Sequence, residues 1–199
     1  MENTSEISIY GNHRAAMENV MQIILGSIDE LRANMTMEYG NDPVEHCLAR
    51  IKSEESMLEK CKRQGLPENS ESALFLIHDA IGIRVVCAFI SDVYAVRDHL
   101  VDIDGIDLIE EKDYIKQAKP NGYRSLHLIL RYKDSYYVEI QLRTISMDTW
   151  AALEHHMRYK KTKGPSDALI SAELKRCADE LASTDMSMQT IRNMIREEI

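Results

Sequence analysis

Glu139, Gln141 and Arg143 alternate with Val138, Ile140 and Leu142 along YYVEIQLRT. A strand through this segment carries a carboxylate, an amide and a guanidinium on one face and an apolar set on the other. Such a row can hold a divalent cation and a polyphosphate together. Asp79 offers a second carboxylate, and a carboxylate pair completed by phosphate oxygens is a common shell for Mg²⁺. Arg84 interrupts the apolar run IGIRVVCAF, where a charge is costly unless paired. If that strand lies beside 137–143, Arg84 meets the same polar face. The plainer alternative is a solvated face on which Glu139 and Arg143 form cross-strand ion pairs.

A second group is basic. Arg50, Lys52, Ser56, Lys60 and Arg63 lie close together, and positions 52, 56, 60 and 63 share one side of a helix. The chain has 24 Lys and Arg against 33 Asp and Glu, a net charge of −9. A cationic stripe in so acidic a protein is a candidate phosphate site, or else a solvated face laced with Glu54, Glu55 and Glu59. In KPNGYRSLHLIL a Pro-Asn-Gly turn delivers Tyr123, Arg124, Ser125 and His127 to a strand entrance, where loops place ligands. Tyr offers a stacking surface and Arg a phosphate fork; the alternative is an ordinary β-turn. Trp150, Glu154 and Arg158 share a helical face, whereas Glu154-His155-His156 cannot converge on one ion because helix neighbours diverge by about 100°. Neither GxxxxGK[ST] nor GxGxxG occurs, so neither a P-loop nor a dinucleotide fold is suggested. The His78-Asp79 pair lacks the upstream ligands of a metal phosphohydrolase.

These groups need elements to carry them. Apolar residues from Met17 to Met35 recur at helical spacing between about Asn12 and Glu38. Gly40-Asn41-Asp42-Pro43 breaks that helix, and Asp42 as N-cap with Pro43 as first residue predicts a second helix to about Arg63, burying Cys47, Leu48, Ile51, Leu58 and Cys61. IGIRVVCAF reads as a buried strand, 92–101 as helix, DLIEEKDYI as a strand, and LHLILRY-KDS-YYVEIQLRT as an antiparallel hairpin. Residues 146–161 return to helix, Gly164-Pro165 interrupts, and the tail is helical. The expected fold is α+β, a single domain over 1–199 with a small mixed β-sheet flanked by N- and C-terminal helices. Four cysteines without a CxxC pair suggest reduced thiols and no zinc. No signal-like start and no apolar run of about 18 residues is present, so a cytoplasmic protein without membrane contact is expected. The acidic balance argues against a nucleic-acid partner.

Taken in order, HDAIGIRVVCAF, EKDYIKQAKPNGYRSLHLIL and VEIQLRTISMDTWAALEHHMRYK resemble the synthetase domain of the RelA/SpoT family, over about Pro43 to Lys161. The length is similar to the stand-alone small alarmone synthetases, with 165–199 as a helical extension. The resemblance implies a nucleotidyltransferase-like mixed sheet and transfer of the β,γ-pyrophosphate of ATP to the ribose 3′-OH of GDP or GTP. The products would be ppGpp or pppGpp and AMP, in the stringent response. It implies Mg²⁺ held by Asp79 and Glu139, with Glu139 also acting on the acceptor hydroxyl. Arg50 and Arg84 would flank adenine, and Lys52, Lys60 and Arg63 would hold ATP phosphates. Tyr123 would stack on guanine, with Lys112, Arg124 and His127 near the acceptor phosphates and Gln141, Arg143 and Glu154 completing that side. A homotetramer formed through terminal helices and an allosteric alarmone ligand belong to the same implication. The alternatives are a related enzyme acting on tRNA 3′ ends or adenine nucleotides, and a catalytically silent nucleotide- or RNA-binding regulator. Relatives often carry Gly before the Arg50 position and Pro after the Lys52 position, where this chain has Ala49 and Ser53.

Overall fold

The computed structural model describes residues 8–133, 135–158 and 166–197. Helix α1 (Arg14–Tyr39) follows a short 3-10 turn, and strand β1 (Val44–Ile51), helix α2 (Glu54–Gln64) and a π turn (Ser72–Leu76) come next. Strand β2 (Ile81–Cys87), helix α3 (Ile90–Val101) and strands β3 (Ile106–Asp113), β4 (Leu126–Tyr132) and β5 (Tyr136–Thr144) complete the sheet. Helices α4 (Ile145–Arg158) and α5 (Asp167–Glu197) close the order.

The sheet order is β1-β2-β5-β4-β3. Every pairing is antiparallel except β2 with β5, which run parallel. This is the mixed sheet expected from the sequence. Alternation then sorts the strands into two faces. Ile81, Ile83 and Val85 of β2, Leu126, Leu128 and Leu130 of β4, and Val138, Ile140 and Leu142 of β5 are almost fully buried. They join one core with Met17, Ile24 and Ile28 of α1 and Val93, Val96 and Leu100 of α3. The opposite face carries the polar residues.

One expectation fails. Residues from Pro43 to Arg63 are not one helix: the first half is β1, paired with β2 from Val44↔Cys87 to Ile51↔Ile81. Cys47, Ala49 and Ile51 pack against the core, while Leu48 stands 56% exposed on the other face. A helix-like spacing of apolar residues loses here to hydrogen bonding with a strand distant in sequence, because local pattern is a weak determinant beside tertiary pairing. Asp42 caps no helix; its Oδ1 accepts the Val44 N–H at 2.9 Å and its carboxylate pairs with Arg32 at 2.7 Å. The helix starts at Glu54, where Ser53 Oγ accepts the Ser56 N–H at 3.3 Å, an N-cap. It ends at Gly65 with φ 69°, a left-handed C-cap that glycine adopts without strain. Arg50 and Lys52 therefore lie outside α2, and the four-residue stripe 52, 56, 60 and 63 does not exist as a helix face. The end of the 146–161 helix beyond Arg158, Asp134 of the hairpin turn and Gly164-Pro165 lie outside the described residues.

Helix α5 is fastened at several points. Trp150 Nε1 donates to the Leu174 carbonyl at 2.8 Å and Thr144 Oγ1 to Asp185 at 2.5 Å. Arg192 meets the buried Asp92 of α3 at 2.7 Å and lies over the Phe89 ring at 4.3 Å. Removing one member of a buried pair leaves the other charged without compensation. Arg192→Ala is expected to cost about 3 kcal/mol of folding stability, read as a lower urea midpoint with the slope preserved.

Candidate functional site

Register assembles the polar face. Gly82 pairs with Glu139 and Arg84 with Gln141 across β2 and β5. Arg50 lies opposite Gly82 and Leu48 opposite Arg84 on β1, and His127 of β4 lies beside Gln141. Lys112 of β3 follows beside His127. Side chains in one cross-strand row point to one face, so residues far apart in sequence meet. A cavity of about 180 Å³ opens on this face, lined by Arg50, Lys52, Asp79, Arg84, Glu139 and Gln141 together with Leu48, Ala49, Gly82 and Ile83.

At the Asp79 end, two lysines share one carboxylate oxygen. Lys52 Nζ lies 2.8 Å and Lys60 Nζ 2.5 Å from Asp79 Oδ2. Burial raises the carboxyl pKa, but the hydrogen bonds and charges of Lys52 and Lys60 outweigh it and hold it below the usual carboxylate range. Asp79 is thus an anion throughout the neutral range. Its Oδ1 is buried and has no hydrogen-bond partner, and a buried oxygen of that kind calls for a ligand. The donor set is all oxygen and limited to two carboxylates, and no cluster of three or more His, Cys, Asp or Glu occurs among the described residues. That fits a hard cation completed by phosphate and water and does not fit zinc.

Glu139 occupies the centre. Gln141 Nε2 donates to its Oε2 at 3.2 Å, and His127 Nδ1 lies 3.9 Å from its Oε1. Burial, then the charges of Arg143, Lys119 and Lys112, pushes the His127 pKa down to about 4, so the imidazole is neutral at physiological pH. Arg143 Nη2 donates to the Tyr123 hydroxyl at 2.7 Å, and that hydroxyl meets His127 Nε2 at 2.8 Å. The Tyr123 hydroxyl thus links the Arg143 guanidinium to the His127 ring, whose Nδ1 faces Glu139.

Several residues of the polar face were not singled out by sequence. Asp148, in the first turn of α4, takes Arg143 Nη1 at 2.9 Å and Arg84 Nη1 at 3.4 Å, with His46 Nε2 at 3.9 Å. An acid in a first turn reads from sequence as a complement to the helix dipole, so its role as a shared counterion was hidden. Lys119 sits over the rings of Tyr114 at 4.4 Å and Tyr123 at 5.0 Å. Leu48 opens onto the cavity only because β1 is a strand, and Gly82 of β2 lies beside it there.

Other expected residues lie further out. Arg63 is exposed on the last turn of α2 and is not among the cavity's walls. Lys112 is exposed and pairs with Glu110 at 2.7 Å. Arg124 turns toward α5, pairing with Asp179 at 3.0 Å. Glu154 is half-buried on α4.

This arrangement has counterparts. Residues 49–164 match the family described as a region found in RelA / SpoT proteins. GTP pyrophosphokinase YwaC of Bacillus subtilis (strain 168) is 37% identical over 187 residues, which cover 88% of this chain and 89% of that protein. Among solved structures, small alarmone synthetase 1 from Bacillus subtilis bound to its product pppGpp superposes with a TM-score of 0.75 at 29% identity, covering 92% of this chain and 94% of that one. The same enzyme bound to AMPCPP gives a TM-score of 0.69 at 27% identity, covering 93% and 94%. A family match over more than half of the chain and a relative 37% identical over most of both lengths have one reading: the chain belongs to the RelA/SpoT family.

Proposed function

We propose that this chain transfers the β,γ-pyrophosphate of ATP to the ribose 3′-OH of GDP or GTP, making ppGpp or pppGpp and AMP. The observation that carries this reading is the meeting of Asp79 and Glu139 in one cavity walled by Arg50, Lys52, Arg84 and Gln141. Its support from relatives is the GTP pyrophosphokinase name of a protein alike over nearly its whole length, and the nucleotides pppGpp and AMPCPP in the two structures.

In this reading the acceptor's 3′ oxygen attacks the β-phosphorus of ATP and the bond from that phosphorus to the α,β-bridging oxygen breaks, so AMP departs. Glu139 takes the hydroxyl proton. Gln141 fixes one oxygen of Glu139 and leaves the other toward His127. Lys52 and Lys60 stand where cationic charge offsets the negative charge spread over the phosphoryl oxygens. Arg50 and Arg84 offer flat guanidinium faces to the donor base, beside the exposed Leu48. Arg63 supplies further charge at the rim. On the acceptor side Tyr123 stacks on guanine, anchored by Arg143, and Lys112, Arg124, His127 and Glu154 complete the surroundings. Asp79 and Glu139 are the residues that would hold Mg²⁺, which when bound neutralises phosphoryl charge. The reading includes a cytoplasmic enzyme and a homo-oligomer. No described helix is long and apolar enough to cross a membrane. The exposed Met186, Met188 and Ile195 of α5 offer an apolar contact surface.

The direct test incubates the purified protein with Mg²⁺, γ-labelled ATP and, separately, GDP, GTP, GMP and ATP as acceptors. AMP formed in step with a labelled guanosine nucleotide is expected; no transfer to any nucleotide would overturn the reading. Glu139→Gln is expected to lower kcat by about 10²–10⁴-fold while ATP binding, followed by calorimetry, survives.

Gly82 supports a second prediction. A Cβ there would meet nothing nearer than the Arg50 carbonyl oxygen at 4.0 Å, so a larger side chain fits the strand but occupies the cavity beside Glu139. Gly82→Leu is expected to fold with an unchanged circular dichroism spectrum and to bind the ATP analogue at least about tenfold more weakly, or about 1.4 kcal/mol.

His127 supports a third. Its pKa falls from 6.5 in the unfolded chain to about 4 in the folded one. Between those values the unfolded state binds the extra proton, so stability is fully present above 6.5 and declines as pH drops through the window. His127→Gln is expected to flatten the slope of unfolding free energy against pH in that interval.

A further inference from the structure

The residues ahead of α1 make three hydrogen bonds to the elements around the site: to α2, to the Lys52 backbone, and to Tyr136 on the core face of β5. Ser8 Oγ donates to Glu54 Oε1 in the first turn of α2 at 2.7 Å. His13 Nδ1 lies 2.8 Å from the Tyr136 hydroxyl at the start of β5. Between them Tyr10, with 0% exposure, sends its hydroxyl to the backbone carbonyl of Lys52 at 2.7 Å. On the other side of the same residue, the Lys52 N–H donates to the Ala80 carbonyl at 2.8 Å. The Lys52 backbone is thus gripped from both directions. One grip comes from the residue that follows Asp79 and the other from a tyrosine distant in sequence.

We infer that Tyr10 is a positioning residue for the donor nucleotide, fixing the Lys52 segment between β1 and α2 so that the Lys52 ammonium reaches the phosphates. The inference rests on the proposed role of Lys52. Three physical points carry it. Lys52 sits in the Ile51–Ser53 junction, where neither sheet ladder nor helix supplies its carbonyl with a partner, so the Tyr10 hydroxyl does so. The junction also sets the start of α2, because the Met57 N–H bonds to the Ser53 carbonyl at 2.9 Å, and α2 carries Lys60. A displacement there moves both lysines on Asp79, and small misplacements of charged groups are costly in phosphoryl transfer. Burial first, then the nearby Asp79 and Glu54 carboxylates, raises the Tyr10 pKa to about 12. The hydroxyl is therefore a proton donor at every working pH. A tyrosine used only to fill the core would be replaceable by phenylalanine, since the ring does the packing; the hydroxyl is the part that addresses the site.

The test is a double-mutant cycle with Tyr10→Phe, Lys52→Ala and the two combined, following KM for ATP, KM for GDP and the thermal midpoint. Tyr10→Phe is expected to raise KM for ATP about three- to tenfold, the loss of one hydrogen bond, with KM for GDP unchanged. In the Lys52→Ala background the same change is expected to have a clearly smaller effect, the remainder passing through Lys60. A rise in both KM values together, or an equal effect with and without Lys52, reduces Tyr10 to a core residue and overturns the inference. If Lys52→Ala itself leaves KM for ATP unchanged, the assignment of Lys52 fails, and the positioning role of Tyr10 with it. Should Tyr10→Phe lower the thermal midpoint, an ATP-analogue titration well below that midpoint gives the same comparison on folded protein.

Discussion

The parallel pairing of β2 with β5 is the constraint on which the polar face depends. In a sheet otherwise built from antiparallel neighbours, this one pairing lets the segment that begins at Asp79 run in the same direction as the segment that carries Glu139. Parallel neighbours need a long crossover, and α3, β3 and β4 all lie in the stretch between them. The crossover returns the chain so that Gly82 faces Glu139 and Arg84 faces Gln141. A shift of one residue would turn every one of those side chains into the core. The apolar alternation of Val138, Ile140 and Leu142 forbids that shift. Core packing on one face therefore sets the site's register on the other.

Charge on that face is balanced locally. Asp79 answers Lys52 and Lys60, while Asp148 answers Arg84 and Arg143. In a chain of net charge −9, these four cations of the polar face each have a carboxylate to orient them. The neutral His127 stands on β4, across β5 from the β1 and β2 residues, and contributes no charge of its own. Its place is set by hydrogen bonds to Tyr123, which in turn is tied to Arg143.

Much of this was legible in the sequence, for reasons that differ from residue to residue. Strict alternation in YYVEIQLRT identified the face of Glu139 because period two depends only on strand geometry. Arg84 was conspicuous as a charge in an apolar run. The VEHCLARI segment was misread because its apolar spacing fits either period, and only pairing with β2 decides between them. That error carried Arg50 and Lys52 onto a helix, although Lys52 and Lys60 still converge on Asp79 by a different route. Asp148 and Tyr10 left no mark in the sequence. Each acts on residues that only the tertiary fold brings near.

The position of β1 at the sheet's rim sets the balance of rigidity around the cavity. Arg50 and Leu48 stand on a strand bonded to one neighbour, whereas Glu139 and Gln141 stand on the central strand, bonded on both sides. Local opening draws on the elements with fewest ladder bonds, so backbone amides of β1 exchange with solvent through smaller fluctuations than those of β5. The wall that carries Arg50 and Leu48 yields more readily than the floor that carries Glu139, and adjustment of the cavity is borne by the rim.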